Sequence, residues 1–101
     1  MKVAMVEPDP DTEILVDKAR RGDREAFDAL ALRFRSRLQD SIQSWARFRI
    51  EPPLEVEEVL QETFIRAFKS LKNFDWQEDD AFFRWLCGIA KRAVAQRAIT
   101  A

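Results

Sequence analysis

Apolar residues return along this chain at intervals of three and four, and β-branched residues never alternate at period two. Phe27, Leu30, Phe34, Leu38, Ile42 and Trp45 share one stripe and predict an amphipathic helix from Arg24 to about Phe48, roughly 37 Å long. Val56, Val59, Leu60, Thr63, Phe64, Ala67, Phe68 and Leu71 repeat the period and predict another helix. So do Phe82, Trp85, Leu86, Ile89, Ala90, Ala93 and Val94. Punctuation supports these boundaries. Thr12 can cap a first helix through Arg20 or Arg21, Gly22 stands where a left-handed residue closes it, and Asp23 caps the next. Pro52 and Pro53 break the chain, and the polar stretch Lys72 to Asp80 leads to a last helix capped by Asp79 or Asp80. The expectation is an all-α fold, a compact bundle of about four helices over residues 11–101, preceded by a flexible N-terminus, residues 1–10.

Composition narrows the class. A chain of 101 residues fits one domain, and 47 % hydrophobic with 35 % charged residues is the balance of a soluble globule. No apolar run is long enough for a membrane span, and Met1 to Pro10 holds one lysine and no apolar core of a secretory signal. A cytoplasmic protein without a membrane partner is expected. One cysteine, Cys87, and no histidine leave neither an internal disulfide nor the usual zinc sets. Without a glycine-rich loop or any recognisable catalytic set, no enzyme, cofactor, metal or small-molecule substrate is expected.

The net charge of −1 conceals a sorting by segment. From Glu51 to Ile65 every charged residue is acidic: Glu51, Glu55, Glu57, Glu58 and Glu62. From Ala81 onward every one is basic: Arg84, Lys91, Arg92 and Arg97. Two surfaces of opposite sign are expected, with a basic and an anionic partner.

The order and spacing of several short motifs resemble region 2 of sigma-70 family sigma factors, in their extracytoplasmic-function (ECF) group. Leu15-Val16, Gly22-Asp23 and Ala26-Phe27 match the first helices. Glu57-Glu58-Val59-Leu60-Gln61-Glu62-Thr63-Phe64 matches the third. Phe82, Phe83, Arg84, Trp85, Leu86, Ile89 and Ala90 match the fourth. The resemblance spans about Leu15 to Thr100. It implies a transcription initiation factor domain that binds core RNA polymerase and melts the promoter −10 element by capturing the non-template strand.

On the acidic helix, Glu58, Gln61, Glu62 and Ile65 lie together as i, i+3, i+4 and i+7 neighbours beside the apolar stripe. Arg66 relieves only one of the two glutamates, so unpaired carboxylates are expected to await a basic partner. The resemblance makes that partner the clamp coiled coil of the polymerase largest subunit, with Glu57, Glu58, Gln61 and Glu62 as contacts. It also implies an anti-sigma factor as a second protein partner.

Near the other end, Phe74, Trp76, Phe82, Phe83 and Trp85 crowd the last loop and helix beside Arg84, Lys91 and Arg92. A flipped base needs a flat surface and edge hydrogen bonds, with cations on the flanking phosphates. Phe82 and Trp85 sit on the apolar stripe and belong to the core, and Phe74 suits either role. Trp76, among Asp75, Gln77, Glu78, Asp79 and Asp80, stands where no core position is expected. Arg84, Gly88, Lys91 and Ala95 form an outer stripe with Arg92 and Gln96 alongside. The expected DNA-binding set is Phe74, Trp76, Phe83, Arg84, Gly88, Lys91, Arg92 and Gln96.

Three departures from the family pattern stand out. Some relatives carry asparagine at the position of Arg92, and the loop before the last helix is longer than in short-looped relatives, so base preference does not transfer. The family normally continues into region 4, a helix-turn-helix domain that reads the −35 element and is expected to be absent from this chain; weak binding in isolation is then expected from the lost avidity. The alternative expectation is a helical protein-interaction module that binds polymerase or an anti-sigma factor without promoter melting.

Overall fold

The α1–α2 corner and the start of α4 have local causes. A computed structural model describes residues 12–46 and 55–100, which form four α-helices and one 3-10 turn, with no strand among the described residues. α1 (Thr12–Arg20) ends where Gly22 takes φ +100°, a left-handed conformation that costs a residue without Cβ little. The Asp23 and Gly22 amides then donate back to the Lys18 and Ala19 carbonyls, each at 3.0 Å, satisfying the last turn. Asp23 also opens α2 (Arg24–Ala46): its Oδ1 accepts the Ala26 amide at 3.1 Å, as the sequence predicts.

α3 (Val56–Ser70) runs into the 3-10 turn Leu71–Asn73, and residues 74–78 lead to α4 (Asp79–Thr100). Two capping expectations are corrected. Thr12 is not a cap outside α1 but a buried residue of the helix itself; its hydroxyl accepts from Arg33 at 2.8 Å and donates to Asp79 at 3.4 Å. Neither Asp79 nor Asp80 caps α4. The Phe82 amide bonds the Glu78 carbonyl at 3.1 Å, which puts both aspartates in the first turn, where the helix dipole favours negative charge. The expectations for residues 1–10, Phe48, Glu51, Pro52 and Pro53 lie outside the described residues.

α2 is the central element and packs against α1, α3 and α4. Its predicted stripe is buried from Phe27 through Leu30, Phe34, Leu38 and Ile42, and Trp45 closes it half-buried. Phe82 is the hub of an aromatic cluster: it is 1 % exposed, with ring centroids of Phe34, Phe74 and Trp85 at 5.2, 5.4 and 5.7 Å. Rings at such separations add to the burial energy through edge-to-face and offset contacts. The buried Thr63 hydroxyl donates to the Val59 carbonyl at 2.7 Å, so the core has no polar debt there.

Candidate polymerase and nucleic-acid interfaces

α3 buries Val59, Leu60, Thr63 and Ala67, and this single choice of face turns Glu58, Gln61 and Ile65 outward. The acidic patch is therefore where the helical period puts it, but it is not unpaired. Arg97, from the last turns of α4, donates to Glu58 at 3.1 Å and to Glu62 at 3.0 Å. Arg66 donates to Glu62 and to Gln96 of α4, and Arg35 of α2 pairs with Glu57. The expected waiting carboxylates are instead neutralised within the chain, because α3 and α4 pack side by side. The basic segment does not form one continuous surface either, since Arg97 turns toward the acidic helix.

Beside this patch α2 and α3 leave an open groove of ≈ 420 Å³. Phe27, Ala31, Phe64, Ile65 and Phe68 supply its apolar walls, Gln61 borders it, and Arg24, Asp28, Arg35 and Lys69 complete its lining. Arg24 reaches Asp28 at 3.4 Å and lies 5.0 Å above the Phe68 ring. Ile65 is 55 % exposed. Periodicity places Phe64 and Phe68 on the apolar stripe and so does not announce this groove; the signal available was Ile65, an aliphatic residue one step off the stripe, at i, i+3 with Phe68.

The expected DNA-binding residues separate into three groups. Arg84, Lys91 and Arg92 are exposed on α4, with half-buried Gly88 between them; none of the three cations forms an ion pair among the described residues. A Cβ at Gly88 would meet nothing within 4 Å, so packing does not demand glycine there. Phe83 and Trp76 are half-buried against the core. For Trp76 this corrects the expectation of a position away from the core: the indole packs partly against it and stays partly exposed. Phe74 is corrected more fully. It is 7 % exposed, its ring 5.0 Å from Trp85 and 5.4 Å from Phe82, so it cannot offer a face to a base in this conformation. Gln96 is exposed but engaged by Arg66.

α2 contributes to the same side of the molecule. The Arg37 guanidinium lies 4.1 Å above the Phe83 ring, and Lys91 Nζ lies 5.3 Å above Trp45. Cys87 sits between these pairs, half-buried; burial pushes its thiol pKa up, against a hydrogen bond with Ser41 and the charges of Lys91 and Arg37. Arg37 and Trp45 were absent from the expected site because only tertiary packing brings α2 beside α4. Among the described residues no group of three acidic, cysteine or histidine side chains is placed to hold a metal ion, and no helix is long and apolar enough to cross a membrane.

Comparison with known proteins agrees with this architecture. RNA polymerase sigma-H factor of Pseudomonas aeruginosa is 40 % identical over 76 residues, which cover 75 % of this chain and 36 % of that protein. ECF RNA polymerase sigma-E factor of Escherichia coli K12 and that of Salmonella typhimurium LT2 are each 33 % identical over 78 residues, covering 77 % of this chain and 37 % of theirs. The chain thus spans little more than a third of the length of these relatives. An engineered region 2 of sigmaE, solved by NMR in complex with GTAAAA, superposes with a TM-score of 0.67 at 23 % identity, covering 91 % of this chain and 94 % of that one, and shares the fold. Sigma-70 region 2 matches residues 34–98, more than half of the chain, which therefore belongs to the sigma-70 region 2 family, in its ECF group.

Proposed function

We propose that this domain grips core RNA polymerase through α3 and captures the non-template strand of an opened −10 element on α4 and the loop before it. The observation that carries the reading is the set of exposed, carboxylate-free cations Arg84, Lys91 and Arg92 on the helix that also presents Phe83. Single-strand binding needs cations for the backbone and aromatic faces for the bases. Trp76 is suited to stack on a flipped base, because a half-buried indole keeps one surface accessible while its packing limits the ordering cost of binding.

For polymerase, the α2–α3 groove supplies what the neutralised patch by itself does not. A partner helix can seat an aliphatic side chain against Ile65 and Phe68 while its basic residues exchange with Arg97 for Glu58 and Glu62. An inhibitory protein of the anti-sigma kind that covers Gln61 and Ile65 would compete for that surface. A cytoplasmic location goes with these partners.

The test is binding of this chain to three short single strands: the non-template −10 strand, its complement and a scrambled strand. Preference for the first is the expected result. Equal, salt-sensitive binding to all three, with polymerase binding intact, would leave the domain a protein-interaction module that does not melt promoters.

A further inference from the structure

α1 lies outside the stretch matched to the family, residues 34–98, yet it holds both ends of the loop before α4. At the entry, the Arg20 guanidinium donates to the Lys72 carbonyl at 3.3 Å. At the exit, the Thr12 hydroxyl donates to Asp79 Oδ2 at 3.4 Å while accepting from Arg33 at 2.8 Å. Thr12 is 3 % exposed and Asp79 is exposed. The buried Thr12 hydroxyl thus accepts from Arg33 and gives its one proton to an aspartate that has water as an alternative partner, so breaking that bond orphans a buried donor. Between the two anchor points, Phe74 is pinned in the aromatic cluster and Asp75, Trp76 and Gln77 connect the anchors without regular structure.

From this arrangement we infer that α1 is a clasp that sets the geometry of the Trp76 loop, with Thr12 and Arg20 as positioning residues for base capture. The inference rests on the proposed role of that loop. Its physical content is separable: two hydrogen bonds from one helix fix the ends of a short segment, so the segment keeps its course before the strand arrives. Loss of the bonds leaves every strand-contacting side chain in place but widens the range of positions that Trp76 samples. Sequence-dependent affinity then falls, whereas the electrostatic component, set by Arg84, Lys91 and Arg92, stays. The α2–α3 groove is untouched.

The decisive variant combines Thr12→Val, which keeps shape and removes the hydroxyl, with Arg20→Met, which keeps the stem and removes the guanidinium. Affinity for the matched −10 single strand is expected to fall about 5- to 20-fold, the sum of two modest bonds. Binding to a scrambled strand and to core polymerase is expected to hold. Amide exchange at Phe74 and Phe82, whose N–H groups bond the Leu71 and Glu78 carbonyls at the two ends of the loop, is expected to accelerate, and Thr12→Ser, which keeps the hydroxyl, to behave as the parent chain. Unaltered exchange at these two amides with unaltered matched-strand affinity overturns the clasp, provided Trp76→Ala does lose affinity. If Trp76→Ala binds normally, base capture by the loop is wrong, and the exchange measurement alone decides the clasp, which unaltered rates reject. Should the double variant unfold, Thr12→Val alone carries the same two readouts.

Discussion

Arg97 on α4 reaches Glu58 on α3 across 39 residues of sequence, with Nη1 and Oε1 3.1 Å apart. Its other terminal nitrogen takes Glu62, so the surface proposed for polymerase is charge-balanced before any partner arrives. Reversing both glutamates to lysine would gather four cations, with Arg66 and Arg97, and would cost stability as well as binding. Glu58→Gln with Glu62→Gln is the cleaner variant. Exposed and half-exposed pairs contribute about 0–1 kcal/mol each, so its melting temperature should fall by only a few degrees. Core polymerase affinity, measured by competition with a labelled sigma factor, should fall at least about tenfold. Wild-type affinity in the soluble, folded variant would refute the role of these carboxylates.

Trp76 and Lys91 should fail differently on the matched single strand. Trp76→Ala removes a stacking surface worth roughly 1 to 3 kcal/mol, about 5- to 150-fold in affinity, with little change in salt dependence. Since Trp76 also packs on the core, binding should be measured well below the melting temperature of the variant. Lys91→Ala loses a phosphate contact, so the slope of log K against log salt becomes shallower by about 0.7 on any sequence. Titrations at several salt concentrations separate the two. An identical salt-dependent loss in both would mean that the loop holds no base.

The two glycines should respond to alanine with opposite signs. Gly22 sits at φ +100°, so Gly22→Ala strains the α1–α2 corner and should cost about 1 kcal/mol. Gly88 lies inside α4 with free space around it, and Gly88→Ala should stabilise the fold by about 0.5–1 kcal/mol. Urea denaturation gives both values. If a strand backbone passes over Gly88, the more stable variant should nevertheless bind the matched strand less tightly.

Phe82→Ala removes the hub on which Phe34, Phe74 and Trp85 converge. Truncating a buried phenylalanine costs about 3–5 kcal/mol, a large part of the stability of a domain this size. Thermal unfolding followed by circular dichroism should show a fall of well over 10 °C, by about 4–8 °C per kcal/mol. A small shift would show that the aromatic cluster is not the mechanical centre of the bundle.

Cys87 should react slowly with iodoacetamide at neutral pH, because burial disfavours the thiolate. With the pKa raised in the folded state, the neutral thiol is the form that folding prefers. Its contribution to stability is complete below the ordinary thiol pKa and is lost as pH rises from there through the raised folded value. Replacement by serine should flatten the alkaline end of the stability profile. Fast alkylation at neutral pH would contradict this placement.

Periodicity by itself determined the helices, the buried stripes and the acidic face of α3, because a 3.6-residue repeat commits each side chain to one side of its helix before any packing occurs. Gly22 and Asp23 likewise specify their corner locally, through φ and a capping carboxylate. What periodicity cannot express is which helices lie together. Arg97 meets Glu58 and Glu62, Arg37 covers Phe83, Thr12 is enclosed beside Asp79, and Phe74 is drawn inward, all by contacts spanning 39, 35, 46, 67 and 8 residues. Each long-range pair depends on how α1 and α4 are docked on α2 and α3. Only the tertiary structure decides that, since charges and rings sorted into separate segments of the sequence neutralise or cover one another once the helices pack.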